Sequence, residues 1–288
     1  MKAIISALTL VLMGTPLLAE LPEGLPTRTL YGLEGPSQAR GISNEVTGDV
    51  ALAPEGIAQL AGRNLRTRFW TIPQDGVVPI HDHADRPAVF TVASGEIFEY
   101  SSAAEDRILH KTGGLALEEG VLAHWWENEG AETVHLIAFD VYAADGSPTE
   151  VGPQPDADNL TMPEMANAEL ELLGVVDIGG HFGDGTGEGW VLSTYRATLA
   201  PGGVVPDFTA AGEPLQAFVW DGSIIEHRAD RTDQLVTHTG STLAGGARAW
   251  WQNTGDAPAV LYFGVVEPAV EVEGVPRTAP LAHGSHGG

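Results

Sequence analysis

The sequence predicts an all-β protein of two tandem domains, each a closed barrel or a jelly roll, produced by duplication of one domain. Three observations carry this. The chain repeats itself: Leu65–Pro79 aligns with Leu192–Pro206 at an offset of 127, without a gap as far as Gly95 and Gly222. Further on, Trp125-Trp126-Glu127-Asn128 matches Trp250-Trp251-Gln252-Asn253. Within the first half, short stretches rich in Val, Ile, Thr and aromatic residues alternate with Gly, Pro and Asp turns, at Arg66–Ile72, Val89–Ala93, Ile97–Ser101 and Thr133–Val141. Finally, long helical periodicity is absent outside the linker.

In chain order, Lys2 precedes the mostly apolar run Ala3–Met13, followed by Gly14, Pro16 and Leu17-Leu18-Ala19. A basic start, a short apolar stretch and a small residue at the cut read as a signal peptide over 1–19, with the mature chain starting near Glu20. The run is too short to span a bilayer, which implies a periplasmic or secreted protein with no membrane association after cleavage. Residues 20–45 form an N-terminal extension, 46–142 the first barrel and 143–165 a Pro/Asp/Gly-rich linker. The second barrel occupies 166–270 and a flexible Gly-rich tail 271–288. Glu164–Leu172, rich in Glu, Ala and Leu, reads as one short helix.

Charge and cysteine usage exclude whole classes of function. Thirty-nine acidic residues stand against 14 basic ones, for a formal charge of −25. Such a polyanion repels phosphate backbones, so nucleic acid is not a partner, and anionic membrane surfaces are disfavoured likewise. Without any cysteine, there are no disulfides, thiolate metal sites or cysteine nucleophiles. A metal must be held by His, Asp or Glu. No Ser-His-Asp order with a nucleophile elbow, no phosphate-binding glycine loop and no dinucleotide fingerprint is present.

The first half contains Gly76-Val-Val-Pro-Ile-His81-Asp-His83, a later Gly95, then Gly113-Gly114 and His124-Trp-Trp-Glu-Asn128. Residues i and i+2 of a strand share a face, so His81 and His83 enter the barrel together and His124 can meet them from another strand. Three converging imidazoles can hold a metal and leave positions open; histidines lining a wet pocket are the alternative. These motifs resemble the two motifs of the cupin superfamily, a glycine-flanked H-x-H and a later H-x-x-x-N. The resemblance covers both halves and implies a bicupin of two tandem jelly-roll β-barrels, similar in style to small exported bacterial cupins.

Two departures matter. Ala88 stands five residues after His83, where the family pattern often has a ligating glutamate, so the expected site is His81, His83 and His124 alone. Some cupin dioxygenases use three histidines, whereas the oxalate-degrading type is put in doubt. The usual proline of the second motif is missing, and Glu118-Glu119 stand in what reads as a turn. Glu118 is the candidate catalytic base or a fourth ligand, against the more ordinary reading of a solvated turn carboxylate. In the second half, His81, His83 and His124 correspond to Phe208, Ala210 and Ala249, so that barrel is expected to hold no metal.

Weaker features complete the reading. Asp82 and Asp85 are candidate hydrogen-bond partners of the imidazoles. The paired tryptophans persist in both halves and read as packing. His135, paired with Leu261, reads as a core histidine, and His227 and His238 read as surface residues. His283 and His286 could pick up metal transiently from the tail. Imidazole suits Zn, Cu, Ni and Fe, and Mn less well, so the expected cofactor is one divalent transition ion (Zn, Fe, Mn or Cu). Two functions remain open: a metal-dependent small-molecule enzyme with dioxygenase-like or Lewis-acid chemistry, and a non-catalytic protein binding metal or a small ligand. A homo-oligomer is compatible with either.

Overall fold

The structure, a computed structural model, describes residues 21–52, 57–144, 159–179, 181–182, 187–210 and 212–269. The signal-peptide reading, most of the linker, and the tail with His283 and His286 lie outside the described residues. The elements are almost all strands: β1 (Thr27–Leu30), β2 (Leu33–Pro36), β3 (Ser43–Ala51), β4 (Arg63–Ile72), β5 (Val77–Ser94), β6 (Glu96–Ser101), β7 (Ile108–Lys111), β8 (Leu115–Glu127) and β9 (Val134–Ala143). The second half adds β10 (Ala166–Asp177), β11 (Trp190–Val205), β12 (Leu215–Asp221), β13 (Ser223–His227), β14 (Thr232–Val236), β15 (Gly240–Leu243), β16 (Trp250–Gln252) and β17 (Ala259–Pro268). No described helix is long and apolar enough to cross a membrane.

The first sheet runs β3-β4-β9-β5-β8-β6-β7. The second runs β14-β13-β16-β11-β17-β12-β15, with β10 also paired to β11. The registers superimpose: Thr71 opposes His135 as Thr198 opposes Val260, and Ala88 opposes Glu118 as Leu215 opposes Leu243. The two halves are thus tandem barrels of one jelly-roll design, β3 answering to β10 and β9 to β17. This register makes Val260, not Leu261, the counterpart of His135.

Two shared turns explain the repeat. Gly95 and Gly222 both sit at positive φ (84° and 87°) between paired strands, which an L side chain resists. The asparagine ending each H-x-x-x-N-type segment ties a turn. Asn128 donates to the carbonyls of Ile72 and Glu132 (2.9 and 2.8 Å), and Asn253 to those of Leu199 and Ala257 (3.0 and 2.8 Å). Asparagine therefore serves the fold in both halves.

The helix expected at Glu164–Leu172 is instead strand β10. Its residues have good helix propensity, but they alternate: Ala168, Leu170 and Leu172 are half-buried and Glu169 and Glu171 exposed. Period two suits a strand laid on β11, and tertiary pairing overrides propensity. In the N-terminal extension, the β1–β2 hairpin packs Leu30 and Leu33 on a cluster with Ile80, Tyr100 and Trp125 at its core. Trp125 lies flat on Tyr100, centroids 3.9 Å apart.

The largest apolar cluster lies between the barrels. Phe69, Val89 and Phe139 of the first pack with Leu192, Phe218, Tyr262 and Val266 of the second. Gly264 makes this approach close, since a Cβ there would lie 2.3 Å from Phe139 Cδ1. We therefore expect Gly264→Ala to lower unfolding stability by about 1–3 kcal/mol through overpacking, read by urea denaturation. An unchanged midpoint would mean that the barrels do not pack through this face.

Candidate metal centre

β5 is 18 residues long, and its pairing with β8 is irregular across the H-x-H segment. His81 lies directly opposite His124, and His83 opposite Gly120. A bulged strand re-aims its side chains, so all three imidazoles meet on the inner face. Their ring centroids are 4.5 Å (His81–His124), 5.0 Å (His81–His83) and 5.2 Å (His83–His124) apart.

The outer ring nitrogens fix the tautomers. His81 Nδ1 donates to the Pro79 carbonyl (2.8 Å) and His83 Nδ1 to the Arg86 carbonyl (2.7 Å). His124 Nδ1 donates to Glu99 Oε1 (2.9 Å), whose other oxygen accepts from His110 Nε2 (2.8 Å). A carbonyl can only accept, so Nδ1 carries the hydrogen and each neutral ring turns an Nε2 lone pair inward. His81 Nε2 and His83 Nε2 lie 3.1 Å apart, and His124 Nε2 is buried without a partner. These outer positions are filled without Asp82 or Asp85, so neither aspartate orients an imidazole.

Glu118 completes the cluster, and the turn expected around it does not exist. It lies within β8, opposite Ala88, and is 3% exposed. Directly opposed residues of an antiparallel pair share a face. The small side chain of Ala88 thus leaves room for a carboxylate delivered from the neighbouring strand. Glu118 Oε2 is 2.6 Å from His83 Nε2, yet both its oxygens lack a hydrogen-bonded donor. One donor atom from each of His81, His83, Glu118 and His124 lies within 4.8 Å of the others.

Electrostatics agree with a place for a cation. Burial lowers the His81 pKa to about 3, assisted by His124, which keeps this ring neutral. Burial alone would raise Glu118, but the charges of His124 and His83 outweigh it and hold the carboxyl at about 2. Burial would lower His124, but the carboxylates of Glu118 and Glu99 outweigh it and raise its pKa, so the cluster favours one positive charge at its centre, a proton on His124 or a cation in its place. A tetrahedral ion with bonds of 2.0–2.1 Å would space its ligands about 3.3 Å apart; His81 Nε2 and His83 Nε2 lie 3.1 Å apart, and all four donors within 4.8 Å. The residues present fit a divalent transition metal.

Two cavities border the cluster. One, about 140 Å³, is lined by His81 with Arg68, Trp70, Arg86, Phe90 and Trp126. The other, about 710 Å³, is lined by Glu99, His110, Glu118 and His124 among others. Of the paired tryptophans, Trp125 is packing, as expected, while Trp126 forms a cavity wall. The remaining histidines stand apart: His135 hydrogen-bonds Ser94 (2.9 Å) and stacks on Phe69, where exposed His238 also packs. His227 is half-buried against Trp250. In the second barrel Phe208, Leu243 and Ala249 fill the positions of His81, Glu118 and His124 and join its apolar core.

No family model and no curated protein matches the sequence. Solved structures do. A putative glyoxylate-induced protein from Pseudomonas aeruginosa is similar at 12% identity with a TM-score of 0.50, over 83% of this chain and 84% of that one. A cupin 2 conserved barrel domain protein from Leptotrichia buccalis is similar at 11% identity and TM-score 0.45, over 77% and 98%. A salicylate 1,2-dioxygenase from Pseudaminobacter salicylatoxidans is similar at 12% and 0.47, over 73% and 72%. At these identities the likeness is one of fold. The shared fold is the tandem jelly-roll barrel.

Sequence reading missed Glu99 and Asp140. Glu99 was visible only as a repeat match to Glu226. Asp140, fully buried, carries Arg66 on both oxygens (3.0 and 2.7 Å) with Arg68 and Arg86 beside it. Burial alone would raise its pKa; the guanidiniums of Arg68, Arg66 and Arg86 hold it below the ordinary 3.8. A depressed carboxylate stabilises the fold above its unfolded pKa and loses that contribution as pH falls through the folded value. Asp140→Asn should thus cost about 3–5 kcal/mol at pH 7. The gap from wild type should narrow below pH 3.8, measured by urea denaturation at both pH values. A gap independent of pH would contradict the ion-pair account.

Proposed function

We propose that the first barrel binds one divalent transition ion through His81, His83, His124 and Glu118. On this reading the protein is an exported, metal-dependent enzyme acting on a small molecule. The observation that carries it is the cluster of three inward Nε2 atoms and a buried carboxylate without a hydrogen-bonded donor, which favours a positive charge at its centre. A bound ion would supply Lewis acidity or a redox centre. Glu99 would hold His124 in its ligating tautomer while His110 holds Glu99. Trp70, Phe90 and Trp126 would keep water from the cavity side, where a substrate has access to His81.

Export is supported by the N-terminal apolar run. Non-catalytic metal binding is the second reading. It is favoured by the burial of Glu118 among the ligands, which removes the one acidic side chain of the cluster from proton transfer.

Metal analysis of protein purified from its native compartment should give about one ion per chain. His83→Ala should weaken metal affinity markedly by removing one of four donors, and the double variant His81→Ala/His83→Ala should abolish stoichiometric binding, because the second barrel offers no donors at the matching positions. Glu99→Gln should weaken affinity about 10–100-fold while leaving the stoichiometry. Two ions per chain, or tight binding by the double variant, would contradict the assignment.

A further inference from the structure

Only 14 of the 288 residues are basic, yet two of them, Arg68 and Arg86, line the 140 Å³ cavity beside His81, and a third, Arg66, joins them on Asp140. Arg66 occupies both oxygens of Asp140, and Arg86 reaches Oδ2 from 3.3 Å. Arg68 lies 3.0 Å from the same oxygen but makes no hydrogen bond to it. Its Nε and Nη2 have no acceptor, although the residue is only 6% exposed. Burial lowers its pKa to about 10, so it stays protonated at neutral pH. Asp140 already supplies its counter-charge, and the unmade hydrogen bonds leave Arg68 capacity for a further acceptor.

The rest of the cavity is flat and aromatic: Trp70, Phe90 and Trp126, with Val78, Pro79 and Leu136. A cavity of about 150 Å³ lined by apolar side chains takes a benzene-sized ring. The guanidiniums of Arg66, Arg68 and Arg86 exceed the single charge of Asp140 that they share, and two of them, Arg68 and Arg86, line the cavity. The second barrel has lost all of this together with the metal ligands. Arg68 becomes Tyr195, Arg86 becomes Glu213, Asp140 becomes Val265, and Trp70 and Phe90 become Ala197 and Ala217.

We propose that this cavity binds a compact organic monoanion, a carboxylate on a flat apolar body. The carboxylate would lie on Arg68 and Arg86, the body between Trp70, Phe90 and Trp126, and the far end toward His81. A planar carboxylate matches the guanidinium fork, as Asp140 already shows on Arg66. As an anion site this stands on its own residues; as the substrate site it rests on the metal-centre reading.

Isothermal titration calorimetry with benzoate, its neutral analogue benzamide and inorganic phosphate tests it, on metal-loaded and metal-stripped protein. Benzoate should bind once per chain, with benzamide and phosphate at least about tenfold weaker. Arg68→Met should weaken benzoate by about tenfold or more while its metal content stays at the wild-type value. Arg86→Met, which touches Asp140 less closely, provides a second variant should Arg68→Met fail to fold. Equal binding of benzamide, tighter binding of phosphate, no binding of benzoate, or undiminished binding by a folded variant would each overturn the proposal. Benzoate binding in a protein that holds no metal would support the anion site while removing the metal reading. Metal without benzoate binding would do the reverse.

Discussion

Three imidazoles and a carboxylate converging on one point set the terms for the first barrel. His81, His83 and His124 each spend their outer nitrogen on a fixed acceptor, which commits the inner one to a lone pair. Glu118 adds a negative charge in the same few ångströms. Such a group is unfavourable in a protein interior until a cation joins it. The long, irregular β5 and the direct His81–His124 pairing follow from the need to bring side chains of two strands to one point. So does Glu99, which has no role in the core apart from holding two histidines.

The second barrel shows what the scaffold does without that demand. With the same registers it closes on Leu215, Leu243, Ala249 and Trp251, with Phe208 packed against Phe263. Its counterpart of Glu99, Glu226, is retained but serves a different circuit, accepting from Arg228 (2.6 Å), Ser241 (2.5 Å) and Trp251 (2.9 Å). The jelly roll thus folds around an apolar filling, and the cation set is an addition to it. What the second barrel contributes to the first is a wall: Phe218, Tyr262 and Val266 bury the outer faces of Phe69 and Phe139.

The duplication and the three histidines were legible because each leaves a local signal: a constant offset, and an i, i+2 pair on a strand. Glu118 was only half legible. Its neighbours Glu119 and Gly120 look like a turn, and nothing local shows that Ala88 lies opposite and leaves the space it fills. The arginine wall was illegible for the same reason, since Arg68, Arg86 and Asp140 come from β4, β5 and β9 and meet only in the sheet. The Glu/Ala/Leu run that became β10 misled through propensity, although its period of two was there to be read.

The central claim is that His81, His83, His124 and Glu118 together enclose one ion. X-ray absorption at the metal edge of Co²⁺-substituted protein tests it most directly. The account predicts a shell of nitrogen and oxygen ligands near 2.0–2.1 Å with multiple scattering from about three imidazoles, and loss of one oxygen scatterer in Glu118→Ala. A shell dominated by oxygen, with one imidazole or none, would contradict it.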